Sequence, residues 1–384
     1  MQIPKRRARY VTLAVAALAV GGVLGGPGAS RSWARSPDSD ENLTLKPNSA
    51  NAQPADYAGV QACEECHGAI QATQKTTDMA NAAMRPAESS ILRQHPTLSV
   101  AQGPYTYTIQ STGQQVLFSV GDAHGKIIEP VVLAVGAGFI HQSYLIQHNG
   151  AYYQVPVSYY MGMGRLLFAG NSGTAAAASL EAALGERLTV DRIRSCRGCH
   201  GTINGIDAPL ESDRLVPGIT CEACHGPGAK HVAAMRAGHL QNTQIFDPSR
   251  LKPGEEIEFC GECHHFQDAK NGSLRGIRTV LSQPYRLMES RCWLPNDKRS
   301  RCTFCHDPHR PLGEETGDYD VQCLSCHASA AGAPSSAAQP GKPCPVANQN
   351  CVRCHMDQVE VPGSHSSYTD HRIRIIRPGE PYPQ

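Results

Sequence analysis

Aromatic side chains are scarce in this chain. Phe, Tyr and Trp make up 6% of its 384 residues, and only two of them are Trp. That is low for a domain that must build its core from side chains alone, so flat apolar groups from elsewhere are expected to fill the interior. A charge excess of one sign is also missing, the formal net charge being +1. Residues 1–30 hold four of the 35 basic residues and none of the 34 acidic ones, which leaves 31 basic against 34 acidic beyond them. Such a mildly acidic remainder gives no support to nucleic-acid binding. Long apolar runs are absent too. Val11 to Gly26 is apolar over sixteen residues, short of the roughly twenty that a helical span needs.

That run has the form of an export signal. Lys5, Arg6, Arg7 and Arg9 precede it, and the small residues Gly28, Ala29, Ser30 and Ala34 follow, so residues 1–30 are expected to be a signal peptide. Retention as an N-terminal membrane anchor is the alternative. Residues 31–56 are polar, with Pro37, Pro47 and Pro54, and are expected to form a disordered tether. The expected location is the periplasm or the outer cell surface.

Cysteine, by contrast, is abundant. Fourteen of sixteen cysteines fall in seven copies of Cys-x-x-Cys-His: Cys63, Cys66 and His67; Cys196, Cys199 and His200; Cys221, Cys224 and His225; Cys260, Cys263 and His264; Cys302, Cys305 and His306; Cys323, Cys326 and His327; Cys351, Cys354 and His355. The pattern attaches c-type haem: the two thiols form thioethers with the porphyrin and the adjacent imidazole binds iron. Paired Cys-x-x-Cys units also build structural zinc sites, but zinc gives no reason for a histidine after every pair. The expected cofactor is therefore haem c, seven copies covalently attached, with the seven motif histidines as proximal ligands. Such attachment is made outside the bacterial cytoplasm, in keeping with export. Cys292 and Cys344 belong to no motif, and a disulfide between them is open in an oxidising compartment.

The residue across each iron decides whether a haem only carries electrons or also binds a substrate. Four histidines that trail the motifs, His231, His309, His365 and His371, are expected as distal ligands, each serving a neighbouring haem. His95 and His141 are weaker candidates. Met79 and Met84, which follow the first motif, offer a thioether to its haem. His124 and His148 lie in apparent turns, His239 lacks motif context and His265 follows a proximal ligand; none of the four is expected to bind iron.

Along the chain, six motifs crowd into residues 196–355 and one stands apart. Alternating apolar positions at Tyr105, Tyr107 and Ile109, at Val116, Phe118 and Val120 and at Val131, Leu133 and Val135, with the hairpin signal Asn149-Gly150, predict strands. The fold class expected is α+β with little regular secondary structure: short helices and loops around a haem stack, plus a small inserted antiparallel β unit at about 104–168. A helix is expected at about 174–184 and an Ala/Ser/Pro/Gly loop at 328–341. The expected domains are 57–195, with the first haem, and 196–384, with the other six.

The segments YAGVQACEECH, CEACHGPGAKH, CTFCHDPH, CPVANQNCVRCHM and TDHRIRI resemble the exported multihaem cytochromes of the cytochrome c-554 type. That group is related more distantly to cytochrome c nitrite reductase and hydroxylamine oxidoreductase. The resemblance implies closely packed haem pairs, mostly bis-histidine ligation and electron transfer with redox partner proteins, such as other cytochromes or a quinol-linked membrane complex. It also makes His231, after the Gly-Pro-Gly turn, a distal ligand. Where relatives commonly show Ser-His-Ala, this chain has Asp78-Met79-Ala80, which implies Met79 as a replacement or one five-coordinate haem. The alternative function is reduction or oxidation of a small nitrogen or sulfur compound at such a haem. Nitrite reductases of this superfamily often mark that haem with Cys-x-x-Cys-Lys, and the chain has no such motif.

Overall fold

The computed structural model describes residues 52–384 apart from 114, 169–175, 204–208, 211, 213–214, 242–243, 314–315, 328–342, 378, 381 and 383–384. The expected signal segment, the loop at 328–341 and all but the last residues of the tether lie outside them. Among the described residues no helix is long and apolar enough to cross a membrane.

Seven strands follow one another as an antiparallel meander. A two-residue strand β1 (Ala83–Met84) precedes β2 (Thr97–Gln102), β3 (Tyr105–Ser111), β4 (Val116–Gly121), β5 (Lys126–Val135), β6 (His141–His148), β7 (Ala151–Tyr160) and β8 (Arg165–Phe168), and β9 (Glu186–Arg187) comes after. The sheet order is β2 to β8, with β1 added to β5 and β9 to β7. Strand β2 also lies beside β8, so the meander nearly closes into a barrel. Register shifts between Val131 and Leu133 and between Ser143 and Leu145 supply the bends that closure needs. Asn149 and Gly150 both have positive φ, the conformation of a type I′ turn.

The barrel has its own core. Tyr105, Tyr107, Ile109, Phe118, Val120, Tyr144, Ile146, Val155, Val157 and Tyr159 are buried in it, and Ile91 and Leu92 pack on it. This corrects the expected fold class. The β part is a large, nearly closed seven-stranded barrel over 97–168, where a small unit within a chain of little regular structure was expected. Two physical reasons explain the difference. Strand β2 buries only Leu98 among exposed and half-exposed neighbours, so its alternation is faint. The aromatics, scarce overall, are also concentrated here, and the barrel fills its interior without help. The expected helix at 174–184 is likewise absent from the described part. Ala182–Leu184 is a single 3-10 turn, and Ala177, Leu180, Ala183 and Leu184 pack on the barrel instead. Gly185 ends that crossing with φ 109, where a Cβ would stand 2.2 Å from the Gln154 carbonyl oxygen.

The rest is helical and short. Helices are α1 (Val60–Gln74), α2 (Ser90–Gln94), α3 (Val190–His200), α4 (Cys221–His225), α5 (Ala229–Arg236), α6 (Pro253–Gly261), α7 (Phe266–Lys270), α8 (Gln283–Met288), α9 (Cys302–Cys305), α10 (Asp320–His327) and α11 (Cys351–His355). Two small hairpins accompany them, β10 (Gly201–Ile203) with β11 (Leu215–Pro217) and β12 (Gln358–Glu360) with β13 (Ser367–Thr369). A minor core of Val280, Val359 and Val361 lies near a buried ion pair, in which Arg286 donates to Asp370 at 2.9 and 2.8 Å.

Candidate functional site

Every motif sits on or at the end of a helix. Positions i, i+3 and i+4 share one helical face, so a single turn aims both sulfurs and the imidazole the same way. Helix α1 carries the first motif and kinks at His67 (φ −113, ψ 30). Helices α3, α10 and α11 end on their motif histidines, and α4 consists of its motif alone. Four motif rings are oriented through Nδ1. His200 donates to the Ala82 carbonyl at 3.0 Å, His225 to Phe246 at 3.0 Å and His355 to Arg374 at 2.9 Å, while His264 donates to Gln283 Oε1 at 3.3 Å. Fixing Nδ1 as the donor leaves Nε2 as the free lone pair, which is how iron-binding imidazoles are held.

Three of the seven motif imidazoles face a second imidazole. His67 and His231 stand 6.4 Å apart between centroids at 23°, His225 and His309 6.1 Å at 13°, and His306 and His371 6.1 Å at 43°. Two imidazole nitrogens each about 2 Å from one metal put the ring centroids about 6 Å apart, so the three spacings fit an iron between each pair. His371 is half-buried. Burial, reinforced by His306, pushes its pKa down to about 4, so it is neutral at pH 7 and has the lone pair that a metal needs. Its own Nδ1 donates to the Thr369 carbonyl at 3.0 Å.

The motifs also touch one another. The Cys63 thiol bonds to Cys221, which raises Cys63 and lowers Cys221 to about 7. Cys260 stands high for the same reason beside Cys302, and Cys323 neighbours Cys351. The second and fourth motifs meet reciprocally: Cys199 Sγ lies 3.7 Å from the Glu262 carbonyl, and Cys263 Sγ lies 3.7 Å from that of Gly198. Cys305 of the fifth motif interacts with Cys323 of the sixth. The first motif, far off in sequence, is therefore packed on the third, and the boundary expected at 195/196 separates residues that touch. Glu256, Cys260 and Cys302 bring three donor atoms within 4.8 Å of one another, one short of a structural zinc site.

Residues 170–226, which hold the second and third motifs, match the family model described as Cytochrome c554 and c-prime. That stretch is similar to cytochromes c554 and c-prime. The chain is also distantly similar to a multihaem cytochrome, MtrA, of Shewanella baltica, at 24% identity over 42% of this chain and 48% of the relative. A dissimilatory sulfite reductase, MccA, of Wolinella succinogenes is 24% identical over 40% of this chain and 21% of that relative. The match thus spans half or less of either relative. No solved structure gives a significant match. Covalent haem c follows from this kinship as the group the motifs hold.

In this cytochrome segment and its surroundings, several expected ligands lie elsewhere. Met79 was expected opposite His67; the ring there belongs to His231, and the Met79 carbonyl accepts from the Ile219 N–H. Met84 packs on the barrel core, its sulfur 3.7 Å from Gln142 Nε2. His95 bonds to the Tyr159 hydroxyl at 3.0 Å. His365, in a left-handed turn (φ 52), sets its ring 4.9 Å from Tyr160, which is 5.4 Å from His141. His141 is desolvated and feels His200, and both effects lower its pKa. His148 pairs with Glu129 at 2.6 Å, and His265 with Asp268 at 2.9 Å. Cys292 and Cys344 are both exposed.

Sequence reasoning missed the supporting polar groups. Glu222, Glu256, Asp320 and the Arg286–Asp370 pair all bear on motif placement. Glu222 alone occupies a variable position inside a motif; Glu256, Asp320, Arg286 and Asp370 lie outside the motifs, where a charged residue carries no signal of its own.

Proposed function

We propose that the seven motifs bind seven haems c and that the chain passes single electrons along them. The observation that carries this reading is continuity: the first motif touches the third, the second the fourth, the fourth the fifth, the fifth the sixth and the sixth the seventh, while His309, trailing the fifth, faces His225 of the third. Motifs in contact would hold their porphyrins close to one another. Haem supplies an iron that gains or loses one electron while two imidazoles hold both valence states. His67 with His231, His225 with His309 and His306 with His371 would hold three of the irons, and His365 is the remaining trailing candidate. Export through residues 1–30, a periplasmic or cell-surface location and redox partners such as other cytochromes or a quinol-linked complex complete the proposal. A relative named as a multihaem cytochrome supports it. Intact mass of the exported protein should show seven haem additions, and potentiometric titration should resolve seven one-electron steps. Fewer haems, or bound zinc, would overturn the reading.

A second reading has its own support. His141, Tyr160 and His365 gather at one end of the barrel, near His200, and a relative is named a dissimilatory sulfite reductase. These residues would surround a small sulfur or nitrogen compound at an open haem on the second motif. A high-spin EPR signal that shifts on adding sulfite or nitrite favours this reading; seven low-spin haems sink it.

A further inference from the structure

Three carboxylates that haem attachment does not require join the motifs in pairs. Glu222, inside the third motif, accepts from the N–H groups of Ala58 at 2.8 Å, Gly59 at 3.0 Å and Gly228 at 2.7 Å. Gly59 is the N-cap of α1, which bears Cys63. Glu256, one turn before Cys260, accepts from the Thr303 N–H at 2.8 Å and its hydroxyl at 3.2 Å, at the start of α9, and bonds to Arg301. Asp320, which opens α10, accepts from the N–H groups of Asn350 at 2.6 Å and Cys351 at 2.8 Å, at the start of α11. In all three the carboxylate of one motif helix closes the N-terminal turn of its partner. In all three the first cysteines of the two motifs are neighbours. An exposed N-terminal turn satisfies its N–H groups with water, and burying a carboxylate is costly unless it is fully bonded. Glu222 and Glu256 are nevertheless buried, 7% and 2% exposed. One arrangement recurring at three separate sequence positions points to a role in geometry.

We propose that Glu222, Glu256 and Asp320 are positioning residues, one for each motif pair. Each fixes the register of two haem-bearing helices and sets a negative charge beside both. The proposal rests on the haem reading above. A fixed anion near two irons favours their oxidised form, so each carboxylate should lower two potentials together.

The test uses the exported holoprotein with Glu256→Gln, Asp320→Asn, Asp320→Glu and Asp320→Ala. Wild-type protein with seven haems by mass establishes the underlying reading independently. Glu256→Gln and Asp320→Asn are expected to keep seven haems, to move two of the seven titration steps upward and to weaken the EPR coupling within one pair. Asp320→Glu, which keeps the charge, should restore the wild-type titration. If Asp320→Ala loses haem, peptide mapping should confine the loss to the Cys323 and Cys351 motifs. Titrations superimposable on wild type, all seven steps moving together, or haem loss spread over every motif would each overturn the proposal.

Discussion

Removing the carboxylate of Asp370 should uncouple the C-terminal segment and disturb the surroundings of His306 and His371 together. Arg286 and Asp370 are 2% and 0% exposed. Both guanidinium contacts, at 2.9 and 2.8 Å, end on that carboxylate, which also accepts from the Arg372 N–H at 3.0 Å. Next in sequence is His371, whose carbonyl accepts from Ser290 Oγ at 3.1 Å, while the Ile373 N–H donates back to that oxygen at 2.8 Å. Asp370→Ala leaves a buried guanidinium unpaired, which costs about 3–5 kcal/mol, a large share of a typical total stability of about 5–15 kcal/mol. Urea unfolding followed by far-UV circular dichroism measures the loss. EPR of the folded variant should show one low-spin signal broadened or converted to high spin. The double variant Asp370→Leu with Arg286→Met removes both charges and should recover most of the stability, since a matched apolar pair is tolerated where a lone charge is not. An Asp370→Ala protein within about 1 kcal/mol of wild type, with an unchanged EPR spectrum, would refute the reasoning.

Phe118 is fully buried in the barrel, so Phe118→Ala should cost about 3–5 kcal/mol in urea unfolding while leaving the haem count unchanged. A Cβ on Gly218 (φ 78) would stand 1.8 Å from the Ala80 carbonyl oxygen; Gly218→Ala should lower the melting temperature and perturb the second motif, because the Gly218 N–H bonds to the His200 carbonyl. The Cys351 N–H holds the Asp320 carboxyl below its ordinary value. Since the folded value is the lower one, this contribution is complete above about pH 4 and is lost as acid protonates the group. Hydrogen-exchange protection of the peptide containing Asn350 and Cys351, corrected for the pH dependence of intrinsic exchange, should be high at pH 5, fall as acid protonates Asp320, and be low throughout in Asp320→Asn. Thiol titration of the denatured holoprotein should find two reactive thiols, Cys292 and Cys344; none would mean that they pair.

Much of the chemistry was legible in the sequence, because one helical turn defines a haem attachment face from four or five residues. His231 and His309 each lie a short turn beyond a motif, and each ring faces a motif histidine on another helix; His371 comes only after the β12–β13 hairpin. His365 has the same look in sequence, yet its left-handed turn delivers the ring to Tyr160. Backbone handedness at a single non-glycine residue is not written in composition. Met79 stands where relatives tend to show a ligand, while the ring facing His67 is that of His231, from much later in the sequence. The extent of the barrel was hidden because closure is a relation between β2 and β8, strands too ordinary to declare a partnership by themselves.

The carbonyl of Ala82 accepts from two places, the Gly136 N–H at 2.7 Å and His200 Nδ1 at 3.0 Å. One oxygen thus joins the entry of the barrel, the turn that leaves β5 and the second motif. The chain between His67 and Cys196 is a long excursion, and closing a long loop before any contact compensates for it slows folding. A barrel that folds by adding one neighbouring strand at a time shortens that excursion before the distant helices must meet.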